Sequence, residues 1–270
     1  AINGNTTFYC DGTFTEVTPS PRCWIYPSGH GALNVVGGIQ NSCNEFFYNV
    51  GYSLGMDGSG NYDSEKGVET LAKYASMFGL SETSGVEIPE SEPEISDEYA
   101  VQSAIGQGTN NFTVSQLNRY VTAVANSGTV YDLTLIDKTT DSNGNLIKDY
   151  QAEVISTMDE IDSSTWDMVH QGMQRMVDSS ATFAGLDFDM AGKTGTAQQS
   201  AVHADHALFV GYAPADSPEI SIAVRMAYGY SSSYAAEIGR DIAKIYFDPD
   251  SAEDLITGSA GELGSALAGD

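Results

Sequence analysis

Met190-Ala191-Gly192-Lys193-Thr194-Gly195-Thr196-Ala197-Gln198 places one cation, two hydroxyls and a position without a side chain next to each other. Small residues flank them, and an apolar run at Ala207 to Ala213 follows that reads as a strand. An ammonium and hydroxyls offer donors to an anion, and glycine lets a ligand backbone come close. The stretch therefore suits one wall of an anion-binding cleft. A polar turn entering a strand would have the same composition, so its meaning depends on the rest of the chain.

Working outward, a second strand is predicted at Ile220 to Met226, after the turn Pro214-Ala215-Asp216-Ser217-Pro218, and a last helix from about Tyr234 to Phe247. Upstream, Ser163 to Val177 carries Trp166, Val169, Met173, Met176 and Val177 at helical spacing. Thr113 with Gln116 forms a capping box for a helix through Val124. Ser64 is read as the cap of a helix running to Phe78, with Gly79 as its stop. Val35, Val36 and Ile39, then Phe46, Phe47, Val50 and Leu54, give two helical pieces around the polar tripeptide Ser42-Cys43-Asn44. Residues 131 to 150 read as a hairpin, with Leu133, Leu135 and Ile136 in one arm, Asp141 to Asn145 as the turn, and Leu146 and Ile147 in the other. Residues 1 to 31 are turn-rich. Late strands, middle helices and antiparallel connections predict an α+β domain with helices packed against an antiparallel sheet. Residues 1–247 form the domain, and the acidic, Gly- and Ala-rich residues 248–270 are expected to fray.

Lys and Arg total 11 against 37 Asp and Glu, a net charge of -26, which disfavours binding to nucleic acid or anionic membrane surfaces. No stretch approaches the roughly 20 apolar residues of a membrane span, and residues 1 to 7 lack the marks of a signal peptide. Cys10 and Cys23 are open to two readings, a disulfide in an oxidising compartment or two reduced thiols. No metal site is expected from them, since no histidine pair lies nearby. His203-Ala204-Asp205-His206 lacks a distant partner ligand, His30 between two glycines is read as structural, and no cofactor is expected.

Ser42-Cys43-Asn44 and Lys193-Thr194-Gly195 stand in the order found in penicillin-binding proteins and class A β-lactamases. Cys23-Trp24 with Gly29-His30-Gly31, Asn41 to Tyr48, Ala104-Ile105-Gly106-Gln107-Gly108, Ala191 to Gln198, and Phe209 to Pro214 together resemble the transpeptidase domain of class B penicillin-binding proteins. The resemblance implies that fold, and a site in which Lys193, Thr194 and Thr196 hold the carboxylate of a D-alanyl-D-alanine stem peptide or a β-lactam. It further implies that Gly195 admits substrate along the strand, that the Thr196 backbone N–H forms half of an oxyanion hole, that Asn44 donates to the substrate carbonyl, and that Ser42 relays a proton.

The family mechanism also needs a nucleophilic serine with a lysine three residues later, and no Ser-x-x-Lys occurs in these 270 residues. Thr70-Leu71-Ala72-Lys73 comes after Ser42 on an ordinary amphipathic helix and reads as structural. The abrupt opening favours a chain cut from a longer, membrane-anchored extracytoplasmic enzyme, without the first strands and the nucleophile helix. Such a fragment is expected to be inactive and to self-associate through exposed surface. The alternatives are a β-lactamase or β-lactam sensor, and a non-catalytic stem-peptide-binding module.

Overall fold

The computed structural model describes residues 2–199 and 202–256. Strands β1 (Phe8–Cys10) and β2 (Gly31–Leu33) pair antiparallel and bracket the turn-rich opening. Helices α1 (Val35–Gln40) and α2 (Asn44–Gly55) follow, with Ser42 and Cys43 in the break between them. Helix α3 (Ser64–Met77) is capped by Asp63, one residue earlier than expected, through its carboxylate and the Glu65 N–H, and it stops at Gly79, whose φ is +77°. After α4 (Ala100–Ser103), helix α5 (Val114–Ala125) opens on the predicted Thr113/Gln116 capping box.

The next segment departs from the expected hairpin. Strand β3 (Thr129–Asp132) pairs with β6 (Glu153–Thr157), and inside this pair β4 (Lys138–Thr140) pairs with β5 (Leu146–Asp149). Leu133 to Ile136, read from sequence as a strand arm, lie outside both ladders. Two of their backbone donors are taken by another loop, the Leu133 N–H by the Ser84 carbonyl and the Leu135 N–H by the Glu87 carboxylate, and the Ile136 N–H turns back to the Thr134 hydroxyl. The turn itself falls where expected, with Asp141 Oδ1 accepting from the Asn143 and Asn145 N–H groups and Gly144 at φ +84°.

Helix α6 (Ser163–Ser179) leads to a three-stranded antiparallel sheet, β7 (Ala191–Ala197), β8 (His206–Ala213) and β9 (Ile220–Met226), ordered β7-β8-β9, and then to α7 (Ser232–Phe247). Alternation along β8 builds two cores. Ala207, Phe209 and Ala213 face Ala235, Ala236 and Ala243 of α7, whereas Tyr212 faces Val121 and Val124 of α5 and Met173 of α6. Phe209 is fully buried because three glycines make room for it. A Cβ on Gly192, Gly211 or Gly239 would lie 2.6, 2.7 or 2.3 Å from its ring. The same exclusion sets α1 on α6, where a Cβ on Gly172 would lie 2.8 Å from Ile39. Hence α1, and the Ser42 turn after it, sit on the α5/α6 side of the sheet. Past α7, residues 249–255 form two short helical turns, and residues 257–270 of the expected tail lie outside the described residues.

Candidate active site

The break between α1 and α2 is set by local hydrogen bonding. Asn34 caps α1 by accepting from the Gly37 N–H at 3.1 Å, and the Cys43 N–H returns to the Gly38 carbonyl at 3.0 Å. Cys43 then caps α2 through its sulfur, which accepts from the Phe46 N–H at 3.4 Å. Between the two caps Ser42 takes φ +49°, a region that non-glycine residues seldom occupy. The reversal directs its hydroxyl to β7, where the Lys193 amine donates to Ser42 Oγ and, at 2.8 Å, to the Thr194 carbonyl. Residues 151 positions apart in sequence thus meet. Burial alone brings the Lys193 ammonium down to about 8, and among the described residues no carboxylate pairs with it. An enclosed cation without an anion suits an anionic ligand, and an amine against a hydroxyl can pass a proton.

Strand β7 lies at the end of its sheet, so its outer edge is unpaired among the described residues. Because side chains alternate along a strand, Lys193 and Gly195 share the face towards Ser42, and Thr194 and Thr196 occupy the other. A ligand touching all of them must therefore run along the open edge, from which both faces can be reached. The Thr196 N–H, expected in an oxyanion hole, lies on this strand. Gly195 is the informative position. Its φ is not left-handed, and a Cβ there would meet Leu208 at an ordinary 3.5 Å. Packing does not require the glycine, in contrast to Gly192. Asn44 opens α2, half-buried, near the Tyr48 hydroxyl.

Beside this turn lies a group that the sequence reading did not bring together. Cys10, Cys23, His30 and Cys43 bring one ligand atom each within 4.8 Å of one another. His30 Nδ1 lies 3.5 Å from Cys10 Sγ and 3.6 Å from Cys23 Sγ. Bonds of zinc length to sulfur and nitrogen at the tetrahedral angle span an S···N edge of about 3.6 Å. Hydrogen bonding from Cys43, helped by the Glu45, Ile25 and Asn44 N–H groups, brings the Cys23 thiol down to about 4 against the cost of burial, and the neighbouring Cys23 together with burial pushes Cys43 up. A bound dication would let both ionise. The three cysteines are free and buried, so a Cys10–Cys23 disulfide is not formed. The four residues fit one Zn²⁺, whose contribution would be a fixed crosslink between residues 10–30 and the start of α2. Reading Cys10 and Cys23 as an isolated pair did not bring the four residues together. The signal lay in the spacing, with Cys10 and Cys23, and again His30 and Cys43, separated by twelve residues on either side of a six-residue gap.

The remaining candidates resolve as structure. His206 Nδ1 accepts from the Tyr228 N–H at 3.1 Å and its Nε2 lies 2.8 Å from Gln199 Oε1, while His203 stacks on Tyr228. Among the described residues these histidines form no metal group. His170 ties α6 to α5 through Nε2, 2.8 Å from the Val124 carbonyl. Lys73 lies over the Tyr74 ring and Thr70 Oγ1 donates to the Lys66 carbonyl, both local to α3.

The family model of the penicillin binding protein transpeptidase domain matches residues 1–244. Penicillin-binding protein 2A of Bacillus subtilis strain 168 is 27% identical over 290 residues, covering 94% of this chain and 39% of that protein. The peptidoglycan D,D-transpeptidase MrdA of Haemophilus influenzae is 25% identical over 287 residues, covering 92% and 41%. The chain thus spans about two fifths of the length of these relatives. The crystal structure of Pseudomonas aeruginosa PBP2 in complex with WCK 5153 superposes with a TM-score of 0.75 at 26% identity, covering 91% of this chain and 56% of that one. With an antiparallel sheet between helices and the Ser42 turn joined to the Lys193 strand, the chain belongs to the penicillin-binding protein transpeptidase domain family.

Proposed function

We propose that these residues are the substrate-binding part of a peptidoglycan D,D-transpeptidase, which cross-links stem peptides ending in D-alanyl-D-alanine through a serine acyl-enzyme and is acylated by β-lactams. The contact of the Lys193 amine with the Ser42 hydroxyl carries the reading. It couples a carboxylate-seeking cation to a group that can relay a proton at the acylation step. The substrate carboxylate lies against Lys193, Thr194 and Thr196, its backbone runs along the open edge at Gly195, Asn44 donates to its carbonyl, and the Thr196 N–H stabilises the developing oxyanion. The nucleophilic serine and its lysine lie outside residues 1–270, in a protein that works on the outer side of the cell membrane. Cys10, Cys23, His30 and Cys43 hold one structural Zn²⁺.

The test is Lys193→Ala in the longer protein that carries Ser-x-x-Lys. Losing a charge-assisted contact of about 1.5–3 kcal/mol should lower the second-order rate of acylation by benzylpenicillin about tenfold to a hundredfold. A rate equal to that of the unmutated protein would remove Lys193 from the site.

A further inference from the structure

Trp24 lies between the sulfur–imidazole cluster and the catalytic turn, and neither has yet accounted for it. Its chain neighbour Cys23 belongs to the cluster, and its ring stands edge-on to His30 with centroids 5.4 Å apart. Its indole N–H donates to the Asn41 carbonyl at 3.1 Å. Asn41 immediately precedes Ser42. The side chain is 48% exposed, so burial does not explain its placement.

Ser42 needs external support. A non-glycine residue at positive φ is strained and persists only where its surroundings over-determine it. Two of the ties from the opening segment to α2 reach the body of the helix: the Gly12 N–H donates to Glu45 Oε2 at 2.8 Å and the Tyr48 hydroxyl to the Arg22 carbonyl at 3.3 Å. Two others bracket Ser42 itself. The residue after it, Cys43, is a member of the cluster, and the residue before it, Asn41, is held by Trp24.

We infer that Trp24 is a positioning residue for acylation, holding the Asn41 carbonyl so that the Cys/His cluster and the indole together fix the Ser42 hydroxyl against Lys193. The inference rests on the acyl-transfer reading proposed above. It requires no contact between Trp24 and substrate. The carboxylate subsite on β7 is not touched by the indole, so the effect should appear in the chemical step and not in binding.

The experiment uses the longer, zinc-loaded protein and Trp24→Phe, which keeps an apolar ring and removes the donor. Stopped-flow acylation by benzylpenicillin separates the dissociation constant of the initial complex from the first-order acylation rate. A single lost hydrogen bond predicts an acylation rate about fivefold lower, with the dissociation constant unchanged and one zinc per chain retained. An unchanged acylation rate would overturn the inference. So would a loss of rate accompanied by loss of zinc, which would make Trp24 only a part of the fold. A second measurement needs no variant: the Trp24 indole N–H should exchange with deuterium more slowly than its exposure allows, and exchange at the solvent rate would also overturn the inference. If the unmutated protein takes no acyl group from penicillin, the transpeptidase reading itself fails, so the two failures are distinguishable.

Discussion

Lys193 is unusual for a lysine in that it is enclosed, has no acidic neighbour among the described residues, and contacts a serine hydroxyl. Its lowered value near 8 fixes a sign. From pH about 8 up to the ordinary lysine value, the unfolded chain holds a proton that the folded one has released, so this group's contribution to stability rises with pH there. Ligand binding runs the other way. A carboxylate favours the ammonium form, so the affinity of the initial β-lactam complex should be level below pH 7 and fall as pH rises through about 8. Initial-complex dissociation constants between pH 6.5 and 9.5, roughly bracketing that midpoint, check this, and a flat profile would exclude Lys193 as the carboxylate's cation. Gly195 yields a second prediction. Because nothing in the protein crowds its Cβ position, Gly195→Ala should leave the melting temperature unchanged or slightly raised, since alanine restricts the unfolded chain. It should still weaken β-lactam binding about tenfold, because the methyl group enters the face on which Lys193 lies. Destabilisation with normal binding would mean that the glycine serves packing.

Among the elements, those with strong local signals were legible in the sequence. The Thr113/Gln116 box opens α5 as read, β8 and β9 fall within one residue of their predicted spans, and α7 starts two residues early. Strands β3 and β6 were missed for a physical reason. Every residue of β6 is exposed, so neither alternation nor an apolar run marks it, and Leu133 to Ile136 resemble a strand, but the Leu133 and Leu135 N–H groups go to the loop at residues 84–87 and the Ile136 N–H to the Thr134 hydroxyl. At the site, Ser42 and Lys193 were legible through motif order, whereas the pleat that puts Thr194 and Thr196 on the opposite face from Lys193 needed the sheet. The Cys/His cluster required four residues spread over 34 positions to be read as one group. The opening segment has only the three-residue β1 and β2 as described strands, so under the zinc reading proposed above the cluster is its main crosslink to the start of α2. If the proposed Zn²⁺ is bound, removing it with a strong chelator should loosen residues 10–30 first, since a structural zinc's binding energy is folding energy. Hydrogen exchange should accelerate in peptides spanning 10–30 and 38–46 while β8 and β9 stay protected. Uniform protection in the chelated protein would show that the cluster is not what orders the segment.

At the scale of the whole molecule, the chain combines an enclosed, unpaired Lys193 among the described residues with a net charge of -26. The long-range field thus opposes the approach of an anionic ligand, and Lys193 attracts only at short range, where enclosure weakens screening. Such a molecule can hold a carboxylate in place, but holding is not acyl transfer. Within these residues the groups nearest the required chemistry are Ser42, whose hydroxyl accepts from Lys193, and Thr70 with Lys73, which lie on α3 and engage their own helix. Ser42 carries a hydroxyl against an amine and so has the parts of a nucleophile and its base. Its neighbours argue against that role. Lys193 donates to it as an ammonium at pH 7, which stabilises the oxygen's lone pair and does not remove its proton, and in the reading proposed above Ser42 lies beside the carboxylate subsite. The 270-residue chain should therefore take up no covalent label from a fluorescent penicillin at pH 7, whereas, in the reading proposed above, a longer protein that carries Ser-x-x-Lys should be labelled with one acyl group per chain. Intact-mass spectrometry after incubation with the antibiotic reads both. A stable adduct on the 270-residue chain, mapped to Ser42, would make that serine the nucleophile and overturn its assignment as a proton relay.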